Sequence, residues 1–169
     1  MIIAFLLAAL GDILLDVDNS QFGILFIVGM GLFALTHVMF SISFLKHIKI
    51  NKITIISLLT LFIPILAILN LFNLIDAKDL TQVINIYAFI NSIMISLSIT
   101  LFAKKQLDKN FRIKTLLGIL LFGISDLILV FVLFGNNPTK KLLLTNNFVY
   151  YIAQLVIGLS FYKTKYTYK

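Results

Sequence analysis

Asp12 and Asp126 stand inside nearly unbroken runs of hydrocarbon side chains, AALGDILL and LFGISDLILVF. A carboxylate at the centre of a membrane-spanning helix costs about 2.5–3.5 kcal/mol on insertion scales, so one that is kept there is read first as a functional group. For helix packing alone, a neutral amide would serve at lower cost. Two carboxyl groups in a low-dielectric site divide their roles, one holding its proton while the other is ionised. Such a pair supplies a general acid and a general base at neutral pH. Other chemistries find no footing in the chain. Cysteine is absent, which removes thiolate nucleophiles and cysteine metal sites. A zinc site would have to combine His37 with Asp12 and Asp126; no H-E-x-x-H or comparable spacing supports it, and neither a metal nor a cofactor is expected. The segment GISDL resembles the start of a G-x-S-x-G elbow, but Leu127 occupies the place of the second glycine.

The scaffold that must position these residues follows from composition. Hydrophobic residues fill 60% of the 169 positions and charged residues only 12%. The mean hydropathy is +1.06, beyond that of soluble domains. About 20 apolar residues cross ~30 Å of hydrocarbon as a helix. On that ruler six spans are expected, at 1–16, 22–45, 53–75, 81–103, 115–135 and 142–162, with Pro64 placed to kink or break the third. The runs are long and apolar on nearly all sides, unlike the alternating strands of a membrane barrel. The fold class expected is therefore all-α: a polytopic transmembrane bundle forming one domain over residues 1–169.

The formal charge of +7 does not mark a nucleic-acid binder, because the basic residues fall in short clusters between apolar runs. Eleven of the fourteen lie at 46–52, 104–114 and 163–169; only Lys78, Lys140 and Lys141 lie in the opposite loops. The positive-inside rule then places both chain ends and the basic loops in the cytoplasm. At ~1.5 Å per residue, Asp12 and Asp126 each come out ~17 Å from the cytoplasmic ends of their helices, His37 and Gln154 at ~13 Å, Tyr151 at ~18 Å and Asn91 at ~20 Å. Six polar groups from five helices thus share one slab near mid-membrane. Helical spacing groups them into faces: Tyr87, Asn91, Met94 and Ser98 on one helix, Asn147, Tyr151, Gln154 and Gly158 on another, and Ala4, Ala8, Asp12 and Asp16 on the first. The competing reading of the neutral members is interhelical hydrogen bonding, at ~0.6 kcal/mol per contact.

These residues also form an ordered series of motifs: Gly11 and Asp12; Phe22, Gly23, Gly31, Phe33 and His37; Tyr87 and Met94; Gly118, Phe122, Ser125 and Asp126; Tyr150, Tyr151, Ala153 and Gln154. In this order they resemble the lysoplasmalogenase-like YhhN family of membrane proteins over nearly the whole chain. The resemblance implies hydrolysis of the vinyl ether bond of a lysoplasmalogen, a lysophospholipid with an ether-linked chain, to a fatty aldehyde and a glycerophospho-alcohol. It implies Asp12 and Asp126 as the catalytic pair. His37, Tyr87, Asn91, Ser125, Tyr151 and Gln154 would support them by orienting water or headgroup. The partners expected are that lipid and the bilayer itself. Family members usually carry a further helix before the G-D helix, often with a Lys-Pro pair; this sequence begins within the G-D helix, so that element is expected to be missing. The alternative function is non-enzymatic: a small lipid or solute carrier, or a scaffold, whose aspartates relay protons or fix packing. The Ile, Lys and Asn bias and the absence of tryptophan point to an AT-rich bacterial genome and hence to a bacterial plasma membrane.

Overall fold

The computed structural model describes residues 2–17, 23–71, 80–135 and 139–161. Six helices follow in order: α1 (Ile2–Val17), α2 (Ile24–Leu45), α3 (Lys52–Leu71), α4 (Thr81–Ala103), α5 (Lys109–Phe134) and α6 (Lys140–Phe161). No β-strand occurs among the described residues. Five of the six, α2 to α6, are long and apolar enough to cross a membrane, so the chain is a transmembrane helical bundle. Helix α1 has 16 residues and a length of ~24 Å, short of the ~30 Å hydrocarbon core. The predicted third span ran on to residue 75, and its residues 72–75 lie outside the described residues, as does Phe22 of the motif series.

Two boundaries differ from the hydropathy reading for a physical reason. The apolar run of α5 starts at Thr115, but the helix starts at Lys109 because the Asp108 carboxylate accepts the Phe111 backbone N–H at 2.8 Å. A cap, not hydropathy, sets where a helix begins. Asn51 does the same for α3, its Oδ1 accepting the Ile53 and Thr54 N–H groups at 2.9 and 3.2 Å. Pro64 stands inside α3 without ending it.

The helices pair as α1 with α2, α3 with α4, and α5 with α6, and α4 joins them by packing on α2, α3 and α5. Small residues bring the backbones together. A Cβ on Gly11 would meet the Phe33 ring at 2.9 Å and the Gly29 carbonyl oxygen at 3.3 Å, and one on Gly118 would meet the Ile157 nitrogen at 3.0 Å. Close approach of this kind holds helices in lipid, where no hydrophobic force acts between them. Thr36 adds a hydrogen bond from α2 to the Ala4 carbonyl at 3.3 Å. The central helix α4 is buried along Ile84, Ala88, Asn91, Met94, Ser98 and Leu101, whereas Ile2, Leu6, Ile56, Ile63, Leu144 and Leu155 point outward, as lipid-facing side chains do.

Candidate functional site

The inner face of α1 is a stripe of Ala4, Ala8 and Gly11, all buried. Asp12 follows that stripe by one residue, so its side chain leaves the α1–α2 seam and turns toward α6. There its Oδ2 accepts the Tyr150 hydroxyl at 2.9 Å, and the Gln154 side-chain amide donates to the same phenol oxygen at 3.1 Å. The Tyr150 ring is fixed from two sides by Phe33 and Phe122, with centroids 5.9 and 5.5 Å away in edge-on geometry.

Asp126 lies on the buried face of α5 at 5% exposure, beside Ser125 and Phe122. Its Oδ2 accepts the Asn91 amide of α4 at 2.9 Å, and His37 Nε2 of α2 approaches the same oxygen to 2.9 Å. That approach lies off the line of the ring N–H, so both imidazole nitrogens lack an aligned hydrogen-bond partner among the described residues. The His37 ring is fully buried and is clamped by Tyr87 edge-on at 5.2 Å and by Phe122 at 5.0 Å. The Tyr87 phenol interacts with the Asp126 carboxylate as well.

Both aspartates line one cavity of about 480 Å³. Its walls are the C-terminal halves of α1 and α5 and the N-terminal halves of α2 and α6, so it occupies the half of the bundle away from the basic 46–52 and 104–114 loops. Asp16, Asn146 and Asn147 line its outer part. Asn146 is buried, and neither its Oδ1 nor Oε1 of Gln154 has a partner among the described residues. Among the described residues no three His, Asp, Glu or Cys side chains are grouped to hold a metal.

The structure therefore brings Asp12 and Gln154 together through Tyr150, and Asp126 together with His37, Tyr87 and Asn91. Two expected residues stand differently. Tyr151 is 63% exposed while Tyr150 is 9% exposed; Tyr151 reaches only the cavity wall and the Tyr150 ring, at 5.3 Å. The buried face of α6 is Asn146, Tyr150, Ala153, Ile157 and Ser160, one position off the Asn147–Tyr151–Gln154–Gly158 face that the spacing suggested. Ser125 borders the cavity, but its hydroxyl is committed to the Phe122 carbonyl of its own helix at 2.7 Å. Tyr150 and Asn146 are the residues that spacing missed. The signal was present, since 146, 150, 153, 157 and 160 repeat at 4-3-4-3 with small or polar side chains at every position but Ile157.

No curated protein and no solved structure matches the chain significantly. A family model does, over residues 1–161 of the 169, and the chain belongs to the YhhN family.

Proposed function

We propose that this protein is a membrane-embedded ether hydrolase that cleaves the vinyl ether bond of a lysoplasmalogen-type lipid, releasing a fatty aldehyde and a glycerophospho-alcohol. Membership of the YhhN family is in keeping with such a role. The observation that carries the reading is that Asp12 and Asp126, from different helices, line one cavity, each held by its own set of donors.

The reaction needs one proton donor and one proton acceptor on opposite sides of a two-carbon unit. One carboxyl group delivers a proton to the outer carbon of the C=C bond, and the cation that forms is shared between the inner carbon and the ether oxygen. Water attacks the inner carbon while the second carboxylate takes up its proton. The hemiacetal then collapses: the C–O bond to the glycerol breaks, the alcohol oxygen regains a proton, and the aldehyde leaves. Water and two carboxyl groups suffice, as in glycosidases that pass through an oxocarbenium-like transition state. Tyr150 and Gln154 fix Asp12, and His37, Asn91 and Tyr87 fix Asp126, so neither acid has to be reoriented during the step.

The lysine asymmetry supports cytoplasmic chain ends, with the shared cavity in the half of the bundle facing the other side, and the Ile, Lys and Asn bias supports a bacterial plasma membrane. Purified protein reconstituted in vesicles should release aldehyde from a lysoplasmalogen and none from the corresponding acyl lysolipid. Absence of aldehyde from folded protein would favour the carrier or scaffold reading.

A further inference from the structure

Asp126 borders the shared cavity, a small void of about 30 Å³ beside Tyr87 and Phe33, and a groove on its other side. Besides lining the cavity it shares with Asp12, it closes the inner end of that groove, which holds about 180 Å³ and is walled by α3, α4 and α5. On α5 the shared cavity and the groove are separated by helical face: Ser125, Leu129 and Val132 look into the shared cavity, whereas Leu120, Ile124 and Leu127 look into the groove. Only Asp126 among the α5 residues serves both.

The groove is built to stand open sideways. Helix α3 packs on α4 and not extensively on α5. It is held to α4 at both ends, by the Thr54–Thr100 hydroxyl pair at 2.8 Å and by the Asn70–Asn85 amide pair at 3.0 and 3.2 Å. Between those clasps its middle, with Leu61 and Ile65, forms the far wall of the groove. Ile124 at the mouth is 50% exposed to the lipid-facing side. The inner end is polar. Asn91, 8% exposed, gives its amide N–H to Asp126 but leaves Oδ1 without a partner among the described residues. That oxygen lies over Gly123, where an added Cβ would come within 3.5 Å of it. A groove apolar along its length, ending on an unmatched acceptor and a carboxylate, is complementary to a single hydrocarbon chain with a hydroxyl-bearing head.

We propose that this groove is the hydrocarbon-chain subsite of the Asp126 site. One alkyl chain of a lipid slides in from the bilayer between α3 and α5, and its polar end passes Asp126 into the cavity shared with Asp12. The identity of that lipid as an ether lysolipid rests on the function proposed above; the path of the chain does not. At ~30 Å³ for each group of about water's size the groove holds about six methylene-sized groups, and the remainder of the chain stays in the bilayer. Transfer from lipid to groove carries little hydrophobic gain, because lipid tails are as apolar as the leucines that line it. The groove therefore selects by shape, admitting one chain.

The test uses reconstituted full-length protein and a non-hydrolysable alkyl-ether lysophosphatidylcholine carrying a photoactivatable diazirine on an early chain carbon. Crosslinks are expected on the groove walls, at Leu61, Ile65 and Leu127, and Ile124→Trp, at a half-exposed position, and Leu61→Trp, at a partly buried one, should lower them several-fold with the thermal unfolding temperature unchanged. Crosslinks spread over the outward faces of α2 and α6, or groove labelling that the tryptophans leave untouched, would overturn the proposal. The wild-type crosslink map decides this even where a variant fails to fold. Aldehyde release is read in parallel on a natural lysoplasmalogen: groove labelling without aldehyde would sink the hydrolase reading and leave the groove standing, and aldehyde without groove labelling would do the reverse.

Discussion

At the scale of single residues, the site depends on which of two adjacent tyrosines faces inward. The 4-3-4 spacing of Asn147, Tyr151, Gln154 and Gly158 puts Tyr151 on the polar face of α6, whereas the helix buries Tyr150. Glutamine is long enough to reach around its helix, and from a half-buried position its amide still meets the Tyr150 hydroxyl at 3.1 Å. A side chain of that length is a poor marker of helical phase; the small residue Ala153, fully buried, is a better one. Tyr150→Phe removes a hydrogen bond to a carboxylate, worth about 1.5–3 kcal/mol, so aldehyde release should fall roughly 10- to 100-fold by that measure. Tyr151→Phe should leave the rate close to wild type. Equal losses from the two substitutions would contradict the assignment. His37, Asn91 and Asp126 could be found in the sequence because each stands in a long apolar run, with one hydroxyl residue (Thr36, Ser92 or Ser125) as its polar neighbour. Asn146 was harder to see, lying beside Asn147 in a polar stretch near the start of α6.

Among the helices, existence and order were legible from hydropathy, and ends were not. Asp108 and Asn51 begin α5 and α3 by capping, a signal independent of apolar content. Packing between helices rests on particular glycines, which yields a paired prediction. Gly118→Ala pushes a Cβ to 2.6 Å from Ile157 Cγ1 and 3.0 Å from its nitrogen and should destabilise the α5–α6 pair by about 1–3 kcal/mol. Gly31→Ala meets nothing within 4 Å among the described residues and should stabilise α2 by about 0.5–1 kcal/mol through helix propensity. Thermal unfolding of the two variants in the same detergent checks both signs. The turn after α2 carries a pH-dependent element. Burial holds the His47 imidazole below the ordinary histidine value, with the positive charges of Lys104 and Lys46 adding to the effect. As pH falls through ~6.5 the unfolded chain gains a proton that folded His47 resists, so stability declines on that side. The decline in unfolding temperature from pH 7.5 to 5.5 should be smaller in His47→Gln than in wild type, and an equal decline would refute this origin.

For the molecule as a whole, composition was enough to specify a transmembrane α-bundle, and the coincidence of polar residues at one depth was enough to suggest one site. What spacing could not supply was the shape of the space around Asp126, because a cavity belongs to helices far apart in sequence. The lysine distribution makes a separate whole-molecule prediction. With no native cysteine, single cysteines at Lys49 and Lys109 should resist an impermeant thiol reagent in intact cells and one at Thr139 should react; the opposite pattern would invert the topology. The claim on which the proposed reaction rests is that two aspartates act as one acid–base unit, and a double-mutant cycle on vinyl ether hydrolysis tests it most directly. Asp12→Asn and Asp126→Asn should each fold and each lower aldehyde release by at least the ~10²-fold typical of general acid–base groups, with the double variant losing little more than the worse single one. Near-wild-type turnover in either folded single variant, or losses that multiply in the double variant, would contradict it.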